Sequence, residues 1–281
     1  MSAYFPQRIV SLQPSATVTL KDIAALDRVV ACTRYCAEVV PEVEIGGRLI
    51  VADSWSAQAE QIIAAKPDLV IASVPYQLEA VAQILKSGVR FLGLAPKTLA
   101  DIYTDMATIA GAVGLVQEGI QAVNAMQREI ATIRDQMEQR RLASRPRVFC
   151  EEWGKPIIAS QPWVAELVQA AGADFVGKPG QQISAEEVRE AEPDFLVAAW
   201  CGAGDRVPLE KMVAQRGWQQ MRAVHNGNVY CIPDPYLNTP ASTLIKGLRA
   251  LASILDPESS SAATGVRRIA SSASTKQAVV K

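Results

Sequence analysis

Short apolar runs alternate with amphipathic stretches along most of the chain. Arg8–Leu12 reads as a strand, about Ser15–Leu26 as a helix and Arg28–Thr33 as a second strand. A loop with Tyr35, Pro41 and the pair Gly46-Gly47 follows. A helix over about Ser56–Ala65 then passes through Lys66-Pro67-Asp68 into the strand Leu69–Ser73, and a further helix leads to the strand Arg90–Leu94. Strands that alternate with helices in this way are βαβ units and predict a parallel sheet.

From Gln117 to Leu142 the period changes. Ile120, Val123, Gln127 (or Met126), Ile130, Ile133 and Met137 recur at spacings of three and four, which predicts one long amphipathic helix. The alternation resumes with strand Arg147–Glu151, helix Trp163–Ala171, strands Asp194–Trp200 and Asn228–Ile232, and helix Ser242–Leu255. The expected fold is α/β: two Rossmann-like lobes with parallel sheets, residues 1–114 and 146–257, joined by a long helix over 115–145. Residues 258–281, rich in Ser and Ala, read as a disordered tail.

A short internal repeat supports a duplicated lobe. The segment from Glu60 through Pro67-Asp68 to Val70 matches the segment from Glu186 through Pro193-Asp194 to Leu196 in register. Each is a helix stopped by Pro, then a strand opened by Asp, with a Glu seven residues before the Pro.

Composition narrows the chemistry. The 281 residues carry 28 Lys+Arg against 29 Asp+Glu, a net charge of −1, which argues against nucleic acid as a partner. Five cysteines and one histidine exclude a multi-histidine metal site and do not read as a disulfide framework. Neither GxGxxG, GxxxxGK[ST] nor GxSxG occurs. His225 lies in a Val-His-Asn-Gly-Asn turn ahead of a strand, at the opposite end of the sheet from the ligand side. No catalytic residue is assigned, and no required cofactor. No signal-like segment opens the sequence as read, which points to the cytoplasm; a start further upstream would allow export to the periplasm.

In open parallel sheets ligands gather beyond the carboxyl ends of the strands. That rule selects Tyr35, Cys36 and Tyr76 in the first half, and Glu152, Trp153, Trp200, Cys201, Asp234 and Tyr236 in the second. Aromatic rings with a few polar groups suit a bulky, partly apolar ligand, although each ring could also pack under its own loop. Cys36, Cys150, Cys201 and Cys231 also fall near strand ends, so a thiolate site for a soft metal or a metal complex is carried as an alternative to five small core residues.

Arg8-Ile9-Val10-Ser11-Leu12 followed by Pro14-Ser15, Lys66-Pro67-Asp68-Leu69-Val70-Ile71, and Asn226-Gly227-Asn228-Val229-Tyr230 resemble the cobalamin-binding and ferric-siderophore-binding proteins of ABC importers. The likeness covers about Arg8 to Pro257. It leans to the cobalamin-binding branch at Tyr35-Cys36, Glu152-Trp153, Cys201-Gly202 and Gly247-Leu248 through Pro257-Glu258. The resemblance implies two α/β lobes joined by one helix, a ligand cleft between the lobes, and a monomeric, non-catalytic binder of a corrinoid or related metal chelate. It also implies a glutamate on each lobe that docks onto the permease, here Glu60 and Glu186. Two other readings stay open: a cytoplasmic metal or corrinoid sensor built on the cysteines, and a chelatase-like enzyme.

Overall fold

The computed structural model describes residues 5–140, 144–257 and 263–270. The chain divides into two units. One runs through Gln127 and takes in Thr239–Ser242; the other holds Arg128–Asn238 and the chain from Thr243.

The first unit contains β1 (Ile9–Ser11), α1 (Pro14–Asp22), β2 (Val29–Thr33), α2 (Arg34–Val39), β3 (Leu49–Val51) and α3 (Ala59–Ala64). It continues with β4 (Leu69–Ser73), α4 (Leu78–Lys86), β5 (Arg90–Leu94), α5 (Leu99–Ala112) and the first half of α6 (Val116–Gln139). Its sheet is parallel, in the order β3-β2-β1-β4-β5. The central strands β1 and β4 are buried at every position, as strands covered by helices on both faces must be.

The second unit contains β6 (Arg147–Gly154), β7 (Ile157–Ala159), α7 (Pro162–Ala170), β8 (Asp174–Phe175), α8 (Ala185–Glu190) and β9 (Phe195–Ala198). It ends with α9 (Leu209–Gln215), α10 (Arg222–His225), β10 (Val229–Cys231), α11 (Asp234–Asn238), α12 (Leu244–Leu255) and β11 (Arg267–Arg268). Its sheet runs β11-β10-β9-β6-β7, with β8 also paired to β6. This sheet is mixed, not parallel as the sequence suggested: β7 folds back antiparallel on β6, and β11 runs antiparallel to β10. The expected strand stops at Glu151, whereas β6 runs on to Gly154 and turns at Lys155-Pro156 into the three-residue β7.

The repeat has a physical basis. Lys66 and Glu192, the residues before Pro67 and Pro193, both adopt a left-handed backbone, with φ of 50° and 44°. That turn aims the next aspartate at the start of the central strand. Asp68 accepts the backbone N–H groups of Gln7 (2.8 Å) and Arg8 (2.9 Å), and Asp194 accepts that of Arg147 (2.8 Å). In return the Asp68 and Asp194 N–H groups donate to the carbonyls of Arg8 and Arg147. Both aspartates thus pin the Pro-Asp strand to its parallel neighbour, β4 to β1 and β9 to β6. A second echo accompanies this one: α1 and α7 both begin Gln-Pro, with an extended Gln cap and Pro in the first turn, where no N–H is needed.

Helix α6 spans 24 residues, about 36 Å at 1.5 Å per residue, and the division between the units falls inside it. Met126, Ile130, Ile133 and Met137 are its buried stripe, whereas Ile120 is exposed. Leu142, the expected helix end, lies outside the described residues. The segment read as tail is structured over 263–270. Ile269 packs on the core of the second unit, and its N–H donates to the Val229 carbonyl at 2.8 Å. Arg267 and Arg268 direct their guanidinium groups at the carbonyls of Val207 (2.6 Å) and Asn226 (2.8 Å). Two arginines satisfied by backbone oxygens make an edge strand from a sequence too polar to predict one.

Carboxylates that accept backbone N–H groups form charge-assisted bonds of roughly 1.5–3 kcal/mol. Asp68→Ala should therefore lower the unfolding free energy by about 2 kcal/mol in urea denaturation, with Asp194→Ala close behind. An unchanged midpoint in both would mean the strand starts are held by packing alone.

Candidate functional site

At the carboxyl ends of β6 and β9 the second unit builds a pocket of about 870 Å³. Its floor rests on Glu151, which faces inward from β6 and is almost wholly buried. Arg216, just past the end of α9, forms a two-pronged ion pair with it, one prong at 2.6 Å, and also donates to the Gly154 carbonyl at 3.1 Å. The Trp200 indole N–H donates to the same carboxylate at 2.7 Å. The guanidinium lies 4.8 Å from the Trp218 ring centre and 5.8 Å from that of Trp200, so charge, hydrogen bonds and π-faces all hold it. Burial pushes the Glu151 carboxyl above its ordinary value, against the pull of Arg216 and the Trp200 N–H.

Trp200 lies flat against the backbone at Gly154, where a Cβ would come within 2.6 Å of the ring. Only glycine permits that approach. Trp153 stands beside it, 45% exposed, its N–H satisfied by the Lys155 carbonyl at 3.1 Å and its ring free to stack. Cys201, Pro208 and Met212 add apolar wall, and Lys155 and Lys211 bring charge.

The residues expected to act together are divided by strand alternation. Trp153, Trp200 and Cys201 line this pocket, whereas Glu152 does not. It accepts a hydrogen bond from Gln161 at 2.6 Å. Burial pushes its carboxyl up to about 6, with that bond opposing. Asp234 is a loop clamp: its two oxygens accept the N–H groups of Gly202 (3.0 Å) and Gly204 (2.8 Å) and so fix the Cys201–Gly204 wall. Tyr236 begins the α11–α12 packing, with Lys246 Nζ 5.5 Å from its ring centre. Its carbonyl lies where a Cβ on Gly247 would be, 2.2 Å away.

In the first unit the expected loop after β2 is helix α2. Tyr35 is in its first turn, half-buried, 5.8 Å from the ring of Trp55 and hydrogen-bonded to Arg34 at 2.6 Å. Trp55, 48% exposed, was not among the expected residues; it lies four residues past the end of β3, in a loop the strand-end rule would have pointed to had that short strand been recognised. Val74 and Leu78 are exposed beside the same loops, which Gln77 N–H ties to the Ser54 carbonyl at 2.9 Å. Tyr76 is occupied beneath its own loop. Its hydroxyl donates to the Leu94 carbonyl and its ring meets Phe91 edge-on at 5.9 Å.

The placement of these cysteines lends the thiolate reading no support. Cys36 is fully buried in the apolar core, because the third position of α2 faces the sheet; its thiol is bonded to Thr33 and the Ser11 carbonyl. Cys32, Cys150 and Cys231 are buried too. Burial pushes the thiols of Cys150 and Cys231 up, and Cys201, the exposed one, is pushed up to about 12 by desolvation and then by Glu152 and Asp234. Held neutral, these three thiols are poor soft-metal ligands; burial pushes the Cys36 thiol up as well, but hydrogen bonds with Cys32, Thr17 and Thr33 outweigh it and draw that thiol below its ordinary value. Among the described residues no three His, Cys, Asp or Glu side chains gather to hold a metal ion. His225 closes α10 on the amino-terminal side of β10, away from the pocket. Glu60 and Glu186 are exposed in the first turns of α3 and α8, and Glu186 pairs with Arg189.

Two outcomes follow from the electrostatics. Arg216→Met leaves Glu151 buried without its partner and should cost about 3–5 kcal/mol of stability. Pairing it with Glu151→Leu should cost less than either single change, which a double-mutant cycle in urea measures. For Glu152 the folded protein holds its proton more tightly than the unfolded chain. Its contribution is therefore present below the ordinary carboxylate range and is lost as pH rises through about 6. Glu152→Gln should remove that decline, so wild-type and variant urea midpoints compared across this interval should diverge in the variant's favour toward neutral pH.

Comparison with known proteins accords with this architecture. The chain is 26% identical over 269 residues to a vitamin B12-binding protein of Pectobacterium carotovorum, covering 92% of each. It is 25% identical over 268 residues to an uncharacterised ABC transporter substrate-binding lipoprotein of Bacillus subtilis, covering 90% of this chain and 81% of that one. The crystal structure of a periplasmic heme-binding protein from Pseudomonas aeruginosa shares the fold with a TM-score of 0.80 at 18% identity, over 95% of this chain and 96% of that one. The family model described as periplasmic binding protein matches residues 9–236, and the chain belongs to that family.

Proposed function

We propose that the protein is a non-catalytic receptor for a corrinoid or related metal-chelate ligand and serves an ABC importer. The carrying observation is the pocket at the ends of β6 and β9, which presents Trp153 and Trp200 on a floor already fixed by Glu151 and Arg216. Rings set in place before binding lose little entropy on contact, so affinity for a flat macrocycle comes from preorganisation. Trp55 and Tyr35 supply ring surface at the carboxyl end of the first sheet. The vitamin B12-binding relative and the heme-binding structural neighbour carry names that agree in ligand type, a large metal-bearing ring. Glu60 and Glu186, exposed and at matched places in the repeat, are assigned to docking on the permease, where rim charges set orientation and on-rate. No helix among the described residues is long and apolar enough to cross a membrane. The importer role takes the exported option for the chain's location.

Calorimetric and visible-absorption titration with cobalamin, cobinamide and hemin tests the binding reading. At least one should bind with Kd below about 10 μM, and Trp153→Ala should weaken it about tenfold or more. No heat and no spectral change with any of the three would refute it. Glu60→Ala with Glu186→Ala should leave that affinity intact while abolishing ligand uptake by cells that carry the cognate permease; unchanged uptake removes the docking assignment.

A further inference from the structure

The charge of the pocket is specific in sign. Arg216 is neutralised by Glu151 in its buried pair, so it offers the pocket no net charge. Lys155, in the β6–β7 turn, and Lys211, on α9, are exposed at the pocket wall, and neither takes part in an ion pair among the described residues. No Asp or Glu is among the lining residues. The chain as a whole carries −1, so this is a local arrangement and not part of a basic surface. Two unpaired ammonium groups at the rim, with Trp153 and Trp200 between apolar walls, ask for a ligand with a flat apolar body and anionic groups on its edge.

We infer that the ligand is an anionic macrocycle, one whose rim bears ionised carboxylates read by Lys155 and Lys211, and not a fully amidated, uncharged ring. The inference rests on the macrocycle-binding reading above and adds the charge class. Carboxylates at the ring edge would meet the two lysines while the ring lies against the indoles, and the ammonium groups at the end of flexible stems can follow carboxylates of differing spacing. A rim whose carboxylates are capped as amides offers no charge partner to either lysine.

The test compares two soluble ligands with the same corrin ring, dicyanocobinamide with its amide rim and dicyanocobyrinic acid with its carboxylate rim, alongside hemin. The wild-type protein should bind the acid and hemin at least tenfold more tightly than dicyanocobinamide, with affinity falling as salt rises. Lys155→Gln with Lys211→Gln should weaken the acid at least tenfold and dicyanocobinamide by less than threefold; both positions are exposed, and an unaltered thermal melt reports an intact fold. If dicyanocobinamide binds as tightly as the acid, or the double variant leaves the acid's affinity unchanged, the charge assignment is overturned while macrocycle binding stands. If none of the three binds, the binding reading itself fails and this inference with it.

Discussion

The second unit is organised around a buried charge pair. Glu151 sits in the middle of β6, where an apolar residue would cost nothing, and its carboxylate would be expensive to leave alone. Arg216 answers it from the far end of α9, so the chain after that helix must return to a fixed place above the sheet. Trp218 closes the arrangement from two residues further on. Fully buried, it packs edge-on against Phe149 and donates its N–H to the Ala185 carbonyl, which ties α8 to the same point. Trp200 takes its orientation from the same carboxylate, donating to the Oε1 that one prong of Arg216 also engages. An ion pair of this kind adds little net stability over apolar packing, but it admits one arrangement of its partners. What it specifies here is the plane of an indole at the mouth of a pocket.

Much of the framework was legible because it rests on local rules. Pro67-Asp68 and Pro193-Asp194 could be matched by eye, and the structure gives the reason: the same left-handed turn and the same carboxylate clamp on the strand start. The stripe on α6 follows from helical period, with Met126 chosen over Gln127. The failures are as physical. β11 depends on Arg267 and Arg268 reaching carbonyls about sixty and forty residues away in sequence, and no window on the chain contains that fact.

The site was legible as a region and illegible as a set. The rule that ligands gather at strand ends led to Trp153, Trp200 and Cys201, which line one pocket. It led equally to Cys36, Tyr76 and Asp234, whose polar atoms are spent on the chain itself. Position along a strand fixes the end of the sheet a residue occupies, but the face depends on strand register. The bulge between Glu151 and Trp153 shifts that register where it matters most. Arg216 and Lys211 were out of reach for a different reason. Helix α9, which carries Lys211, was not among the predicted elements, and its end is held at the pocket by the bond from Arg216 to Glu151.

Rigidity and selectivity then come from separate groups. The charges that position the aromatic wall are consumed within the fold, since the same carboxylate that orders Arg216 also cancels it. The charges left for a ligand, Lys155 and Lys211, stand on the hairpin turn and on α9, at the solvent edge, where changing them disturbs no buried partner. Substitution at this rim changes the charge of the pocket while the indoles and their buried support stay as they are. Substitution at Glu151 or Arg216 has no such freedom, because it removes the buried support of Trp200.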